Sequence, residues 1–239
     1  MKKLKCPLLF IIILFNCFII VPINAQIINE YGIKSGMAYA SHTWGYLNFD
    51  TQTNPNFLTG ISARAFADFL NTSYFNIEAE IGFSQKGANL NYYNLLPRPL
   101  PNGDVDFPPT DEFTTTQNRL NYVNVSLMGK IKYEFGIFAP YLLLGPQFNY
   151  LVGKDIGQNG YETMDFRNGK GHLIFPIDPI YNRLYKDIWG FSTGLGSVIK
   201  LLRINLLVEY RFEKDITYNY NESPIFRNYS HSFLIGVQL

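Results

Sequence analysis

Polar and apolar residues alternate with a period of two along much of this chain, as in strands whose two faces meet different surroundings. From Phe75 to Lys86, one face carries Phe75, Ile77, Ala79, Ile81 and Phe83; the other carries Asn76, Glu78, Glu80, Gly82, Ser84 and Lys86. Between Asn121 and Phe135, Val123, Val125, Leu127, Ile131 and Tyr133 oppose Asn124, Ser126, Lys130, Lys132 and Glu134. A third run sets Ile204, Leu206, Val208, Tyr210 and Phe212 against Asn205, Glu209, Arg211 and Glu213. The last sets Phe233, Ile235, Val237 and Leu239 against Ser232, Gly236 and Gln238. Weaker runs at about 30–40, 58–69, 139–151 and 188–200 bring the total to eight. Each is near or above the ~9–11 residues that a tilted strand needs to cross a bilayer.

The connections alternate in length. Long ones are expected at about 41–57, 87–117, 152–187 and 214–228, and short ones at about 70–73, 135–138 and 201–203. The long ones hold the turn-formers, among them Pro97, Pro99, Pro101, Asn102-Gly103 and Pro108-Pro109, then Asn159-Gly160, Asn168-Gly169, Pro176 and Pro179. This rhythm predicts an all-β fold, a transmembrane antiparallel up-and-down barrel with short periplasmic turns and long extracellular loops.

A soluble barrel also alternates, so the sidedness rests on the polar face. That face is rich in Gly36, Gly60, Ser62, Gly82, Ser84, Ser126, Gly145, Ser192, Gly194, Gly196, Ser232 and Gly236. A water-facing surface has no need of such small side chains; a crowded eight-strand lumen does. Its large residues would be Lys34, Arg64, Asp68, Glu78, Glu80, Lys86, Lys130, Lys132, Glu134, Glu209, Arg211 and Glu213, six of each sign. Unpaired in a lumen, each would carry a heavy desolvation cost. A structural network of paired charges plugging the barrel is therefore expected, with a proton or ion path as the alternative. Aromatics fall where membrane interfaces should lie: Phe69, Phe75, Phe135 and Phe138 near the short turns, and Phe83, Tyr150, Trp189, Phe212 and Tyr229 near the long loops.

The N-terminus changes the picture of the compartment. Lys2, Lys3 and Lys5, an apolar stretch from Leu8 to Val21, and Ala25 before Gln26 read as a signal peptide over residues 1–25, with the barrel domain over 26–239. The apolar stretch is short for a spanning anchor. Lipid attachment at Cys17 is disfavoured because Leu14-Phe15-Asn16 lacks the small residue it wants. Cys6 and Cys17 both lie in this segment, so the mature chain would have no disulfide and no cysteine metal ligand. Removing the three N-terminal lysines from the 20 basic residues leaves 17 against 19 acidic ones, and nothing points to nucleic acid.

Several blocks resemble PorT-like outer-membrane β-barrel proteins. Tyr31-Gly32-Ile33-Lys34-Ser35-Gly36-Met37-Ala38-Tyr39 is similar to that family's first strand, and Ile77 to Gly87, ending Ser84-Gln85-Lys86-Gly87, to its third. Tyr141-Leu142-Leu143-Leu144-Gly145-Pro146 is similar to its fifth strand, and Val208-Glu209-Tyr210-Arg211-Phe212 to its penultimate one. Two departures stand out. Val125-Ser126-Leu127 occupies a place where the family often has a proline, and the chain ends in Leu239 where an aromatic is usual. The resemblance implies fold and location, and for some members a part in a protein-secretion and gliding apparatus. It brings no catalytic motif.

The chemistry-bearing residues point the same way. His42 and His172 are expected as solvated loop residues. His231 stands between Ser230 and Ser232, but neighbours on a strand point to opposite faces, so no serine–histidine pair forms. Glu78 and Glu80 share a face about 7 Å apart and could make an acid/base couple, yet basic residues on neighbouring strands favour a structural network. Asp104, Asp106, Asp111 and Glu112 lack EF-hand spacing for calcium. No Walker loop, dinucleotide fingerprint or zinc pattern occurs. The expectation is a non-enzymatic barrel without a cofactor. Its partners would be membrane lipid and lipopolysaccharide, and other outer-membrane or periplasmic proteins. The rivals are a subunit of a secretion apparatus, a loop-based hydrolase or acyltransferase, and a soluble carrier barrel.

Overall fold

The computed structural model describes residues 28–44, 54–70, 72, 74–95, 98–102, 105–106, 109–156, 183–201, 204–220 and 226–239; residues 1–27, with the expected signal segment, lie outside this set. The strands in chain order are β1 (Ile28–Trp44), β2 (Asn54–Asn56), β3 (Leu58–Phe69), β4 (Phe75–Leu95), β5 (Arg98–Pro99), β6 (Val105–Asp106), β7 (Pro109–Lys132), β8 (Phe138–Ile156), β9 (Asp187–Lys200), β10 (Asn205–Asp215) and β11 (Phe226–Gln238). Eight of them are long, and every pairing among these is antiparallel. The neighbour order is β4-β3-β1-β11-β10-β9-β8-β7, and β7 pairs back onto β4, so the sheet closes into an eight-stranded barrel. The first and last strands seal the seam, with Tyr31 N–H and Leu239 N–H each donating to the other residue's carbonyl. Closure removes the exposed edges that an open sheet would leave.

The alternation is inside out relative to a soluble barrel. On β1, Ile33 is 62% exposed and Lys34 1%; on β11, Ile235 is 62% exposed and Ser232 1%. The outer wall is apolar, with Met37, Ile61, Ile81, Val125, Leu142, Leu195 and Phe233 all exposed. Such a wall is stable only against hydrocarbon, and this is the arrangement of membrane barrels. Aromatic residues ring its ends. Tyr74, Tyr133 and Phe135 stack in sequence at the short-turn end, and Phe148 packs on Trp189 toward the other.

The short turns are built locally. Phe135 and Phe138 exchange both backbone hydrogen bonds around Gly136-Ile137, a two-residue hairpin with glycine first. Gly136 has φ +60° with open space where a Cβ would sit, so the backbone angle and not crowding requires glycine there.

At the opposite end the connections differ from the expected lengths. The 87–117 connection is mostly strand, because β4 and β7 stay paired out to Leu95 and Pro109, and β5 and β6 pair beyond them. Threonines and tyrosines such as Thr114, Thr115, Thr116, Tyr92 and Tyr93 favour a strand ladder whether or not lipid lies beside it. β1 likewise reaches Trp44 and β8 reaches Ile156. Residues 157–182 of the expected 152–187 loop lie outside the described set.

Candidate functional site

The lumen is filled in three layers. Nearest the short turns, Phe66, Met128, Ala139, Tyr141, Leu143, Val198 and Leu207 form an apolar floor. Toward the long-loop end, Ala88, Leu90, Leu120, Tyr122, Ile188, Tyr220 and Phe226 form an apolar cap. Most of the buried charge lies in a layer between them, while Asp68 and Lys130 sit among the floor residues, on the short-turn side of Phe66 and Met128, with Lys130 Nζ 4.7 Å from the centroid of the Tyr141 ring.

Glu80 on β4 is the hub of that layer. Its carboxylate lies 2.6 Å from Lys34 Nζ of β1, 3.3 Å from Arg64 of β3 and 2.9 Å from Arg211 of β10, and it accepts a 2.8 Å hydrogen bond from Ser126 of β7. Glu78, one step along the same face, takes Lys34 and Lys130, each at 2.8 Å. Lys130 also reaches Asp68 at 2.8 Å. Glu209 accepts from Lys34 at 2.9 Å and from Tyr141 Oη at 2.8 Å, and pairs with Arg211. Glu213 pairs with Arg64 and lies 3.2 Å from Lys86. All these charged side chains are at most 1% exposed. Ion pairs this buried are held where charges share partners, which the converging strands supply here for all but Asp68, whose one charged partner among the described residues is Lys130.

Ten of the twelve residues expected in the lumen thus meet there, and two do not. Glu134 lies past the end of β7 at Lys132, and its carboxylate turns outward to Lys200 at 2.7 Å, with both side chains at least 40% exposed. The hydrogen bond from Lys200 holds the Glu134 carboxyl below the usual carboxylate range. Lys132 sits at the rim, 3.3 Å from Glu30, its side chain 13% exposed and apart from the buried cluster. The balance of six and six is corrected accordingly. Among the described residues, the buried charges are five cations (Lys34, Arg64, Lys86, Lys130 and Arg211) and six carboxylates (Asp68, Glu78, Glu80, Glu209, Glu213 and Asp215).

Asp215 is the residue missed. It continues the inward parity of Glu209, Arg211 and Glu213, but stands at the start of what reads as a loop. Its carboxylate accepts from Asn149 Nδ2 (3.2 Å), Asn219 Nδ2 (3.0 Å) and Asn228 Nδ2 (2.9 Å), with Lys86 3.6 Å away. Asn219 Oδ1 in turn accepts from Tyr122 Oη at 2.8 Å.

The histidines fall differently from expectation in one case. His42 is no solvated loop residue: it lies on β1, 3% exposed, 4.4 Å from the Phe226 ring, because β1 runs further than the alternation indicates. His231 faces outward while Ser230 and Ser232 are buried in the lumen, so no serine shares its face. Its Nδ1 lies 2.6 Å from Tyr210 Oη. His172 and Asp104 lie outside the described residues, as do the side chains of Asp106, Asp111 and Glu112. Among the described residues no three His, Cys, Asp or Glu side chains gather as a metal site.

A family model for an outer membrane protein beta-barrel domain matches residues 24–227. Among solved structures the chain is similar to the outer membrane protein OprG from Pseudomonas aeruginosa, at 12% identity over 91% of this chain and 99% of that one, with a TM-score of 0.48. It is also similar to Neisserial surface protein A, at 11% identity over 88% and 98%, with a TM-score of 0.45. A third is Ail, the attachment invasion locus protein of Yersinia pestis, in complex with the heparin analogue sucrose octasulfate; there the identity is 9% over 88% and 98%, and the TM-score 0.41. No curated protein matches the chain.

Proposed function

The chain belongs to the outer membrane protein beta-barrel domain family, and on that premise we propose that it is a non-enzymatic, PorT-like barrel that makes contacts outside the cell through its long-loop end. Residues 1–25 act as a cleaved export signal. The charged layer with its apolar floor and cap plugs the lumen, leaving the wall and the loops as working surfaces. The lipid contacts are with membrane lipid and lipopolysaccharide.

The observation that carries this reading is the β4–β7 hairpin. Its two strands stay in register beyond Asn118, where the last pairing of β7 with β8 falls. A ladder that outlasts its neighbours projects from the barrel and presents backbone and side chains to whatever lies outside. The buried, paired charges of the lumen support the same view, because side chains converging from six strands occupy the space between floor and cap.

Single cysteines test the orientation cleanly, since the chain beyond residue 25 has none of its own. Asn102→Cys, in the bend between β5 and β6, should react with a membrane-impermeant maleimide on intact cells. Thr72→Cys, between β3 and β4, should react only after lysis. Labelling of Thr72→Cys alone on intact cells would invert the assignment and remove the proposed contact surface.

A further inference from the structure

The outward face of β10 and β11 near the long-loop end carries two cations with no carboxylate partner among the described residues. Lys214 stands in register with Tyr229 on one side and Phe191 on the other, and Arg227 stands in register with Thr43. Neither cation has a carboxylate partner among the described residues, whereas every buried cation has at least one. Elsewhere at this level the pattern differs: Arg119 on β7 lies in register with Asp155 on β8. Lys214 and Arg227 are diagonal neighbours across one strand pair, separated by about 7–8 Å at the backbone.

Arg227 is not a loosely snorkelling side chain. Its guanidinium lies 4.0 Å from the centroid of the Tyr218 ring, and its Nε is buried without a hydrogen-bond partner. Below the two cations the same face becomes aromatic. His231 is ringed by Phe212 at 5.1 Å and by Tyr210 and Tyr229 at about 6 Å. Its Nδ1 is engaged by Tyr210, which leaves Nε2 with no protein partner among the described residues. Further down, Phe233, Ile235 and Val208 give a wholly apolar wall. From the loop end toward the short turns, this face runs from two cations without a carboxylate partner among the described residues, through an imidazole in an aromatic collar, to an apolar wall.

We infer that this face docks a phosphate-bearing lipid of the adjoining leaflet, with Lys214 and Arg227 holding the phosphate and the acyl chains lying against the wall beneath. The inference rests on the reading that the long-loop end lies at the outer membrane surface. Charge complementarity selects the occupant. An anion satisfies both cations, a planar guanidinium already fixed in place suits phosphate oxygens, and only a lipid also covers the apolar wall below. His231 Nε2 is placed to reach a sugar or glycerol hydroxyl beneath the phosphate.

The test uses the full mature chain in phosphatidylcholine nanodiscs, doped with phosphorylated lipid A or with the same lipid stripped of phosphate. Lipid retained on gentle release is read by native mass spectrometry. The wild type should retain the phosphorylated form preferentially. The double substitution Lys214→Gln, Arg227→Gln should lower that preference on the order of thirty-fold at low salt, from about fivefold per cation near a charged surface. Lys200→Gln, at the other end, should leave it unchanged. A wild type with no preference, or a double variant that retains as much as wild type, overturns the inference. Should the double variant fail to fold, salt titration of the wild type decides: preference that fades as salt screens the contact supports the site, and a salt-independent one refutes it. A reversed cysteine-labelling pattern would overturn the orientation alone, and a missing phosphate preference the lipid site alone.

Discussion

Replacing Glu80 by glutamine is the sharpest test of what the charged layer contributes. The substitution keeps the shape but removes the one carboxylate among the described residues that contacts Lys34, Arg64 and Arg211 together, at 2.6, 3.3 and 2.9 Å. Losing one partner of a buried ion pair costs about 3–5 kcal/mol, because the charge left behind is neither solvated nor compensated. Here the cations are not orphaned. Lys34 keeps Glu78 and Glu209, Arg64 keeps Glu213, and Arg211 keeps Glu209. That redundancy places the cost near the lower limit, about 3 kcal/mol, even though the new amide turns N–H groups toward cations. With a urea dependence of about 2 kcal/mol per molar, the midpoint should fall by about 1.5 M. The assay is urea unfolding in lipid, followed by the gel mobility difference between unboiled and boiled protein. Glu134→Gln serves as the internal control, since its pair with Lys200 is half exposed and should change stability by less than about 1 kcal/mol. If Glu80→Gln and Glu134→Gln unfold at the same urea concentration, the charged layer is not a buried network and the argument fails.

Three further outcomes are expected. Intact mass of protein purified from outer membranes should correspond to a chain starting near Gln26; a mass that includes residues 1–25 would refute the export signal. Protease added to whole cells should cut within 96–108 or 157–182 and spare the Gly136-Ile137 turn, since hairpin tips and long connections are cut before tight turns; cleavage at that turn would reverse the orientation. Purified barrels in planar bilayers should conduct near background, because an eight-stranded lumen filled by side chains leaves no continuous water path; steady open-channel currents would show that floor and cap do not seal.

Much of the fold can be read from the alternation, and the reason lies in the solvent. When one face of a strand meets hydrocarbon and the other a crowded lumen, each residue is under a strong constraint, and the period of two persists for the full crossing. Outside the membrane that constraint lapses. The polar ladder of β4 and β7 beyond Lys86 therefore reads as loop although it is strand. The charges and the small side chains of the lumen face are legible in the alternation. The apolar floor and cap were signalled by large apolar residues that interrupt the polar parity of an otherwise alternating strand. Met128 falls between Ser126 and Lys130, Leu207 stands two residues before Glu209, and Leu120 two residues after Asn118; all three are fully buried. A residue that breaks pattern in this way belongs inside with its polar neighbours, because strand geometry overrides side-chain chemistry in choosing the face.

The floor and cap also explain why the charged layer can be so dry. Five cations and six carboxylates would draw water in from either end if the lumen were polar throughout. Met128 and Leu207 near one end, and Leu120 and Phe226 near the other, exclude it. Exclusion strengthens every ion pair within and raises the cost of leaving any group unmatched. Asp215 sits where this demand is hardest to meet, beneath the cap and 3.6 Å from its nearest cation, Lys86. Three asparagine side chains make up the shortfall by donating to it, and two of them, Asn219 and Asn228, flank the connection from β10 to β11. Asn219 N–H also donates to the Phe226 carbonyl, and Tyr185 N–H donates to that of Asn219. Satisfying the last carboxylate thus folds the start of this connection inward over the lumen, where Tyr220 joins the cap. The plug and the shape of the barrel's mouth are in that sense one structure, with Asp215 as the joint between them.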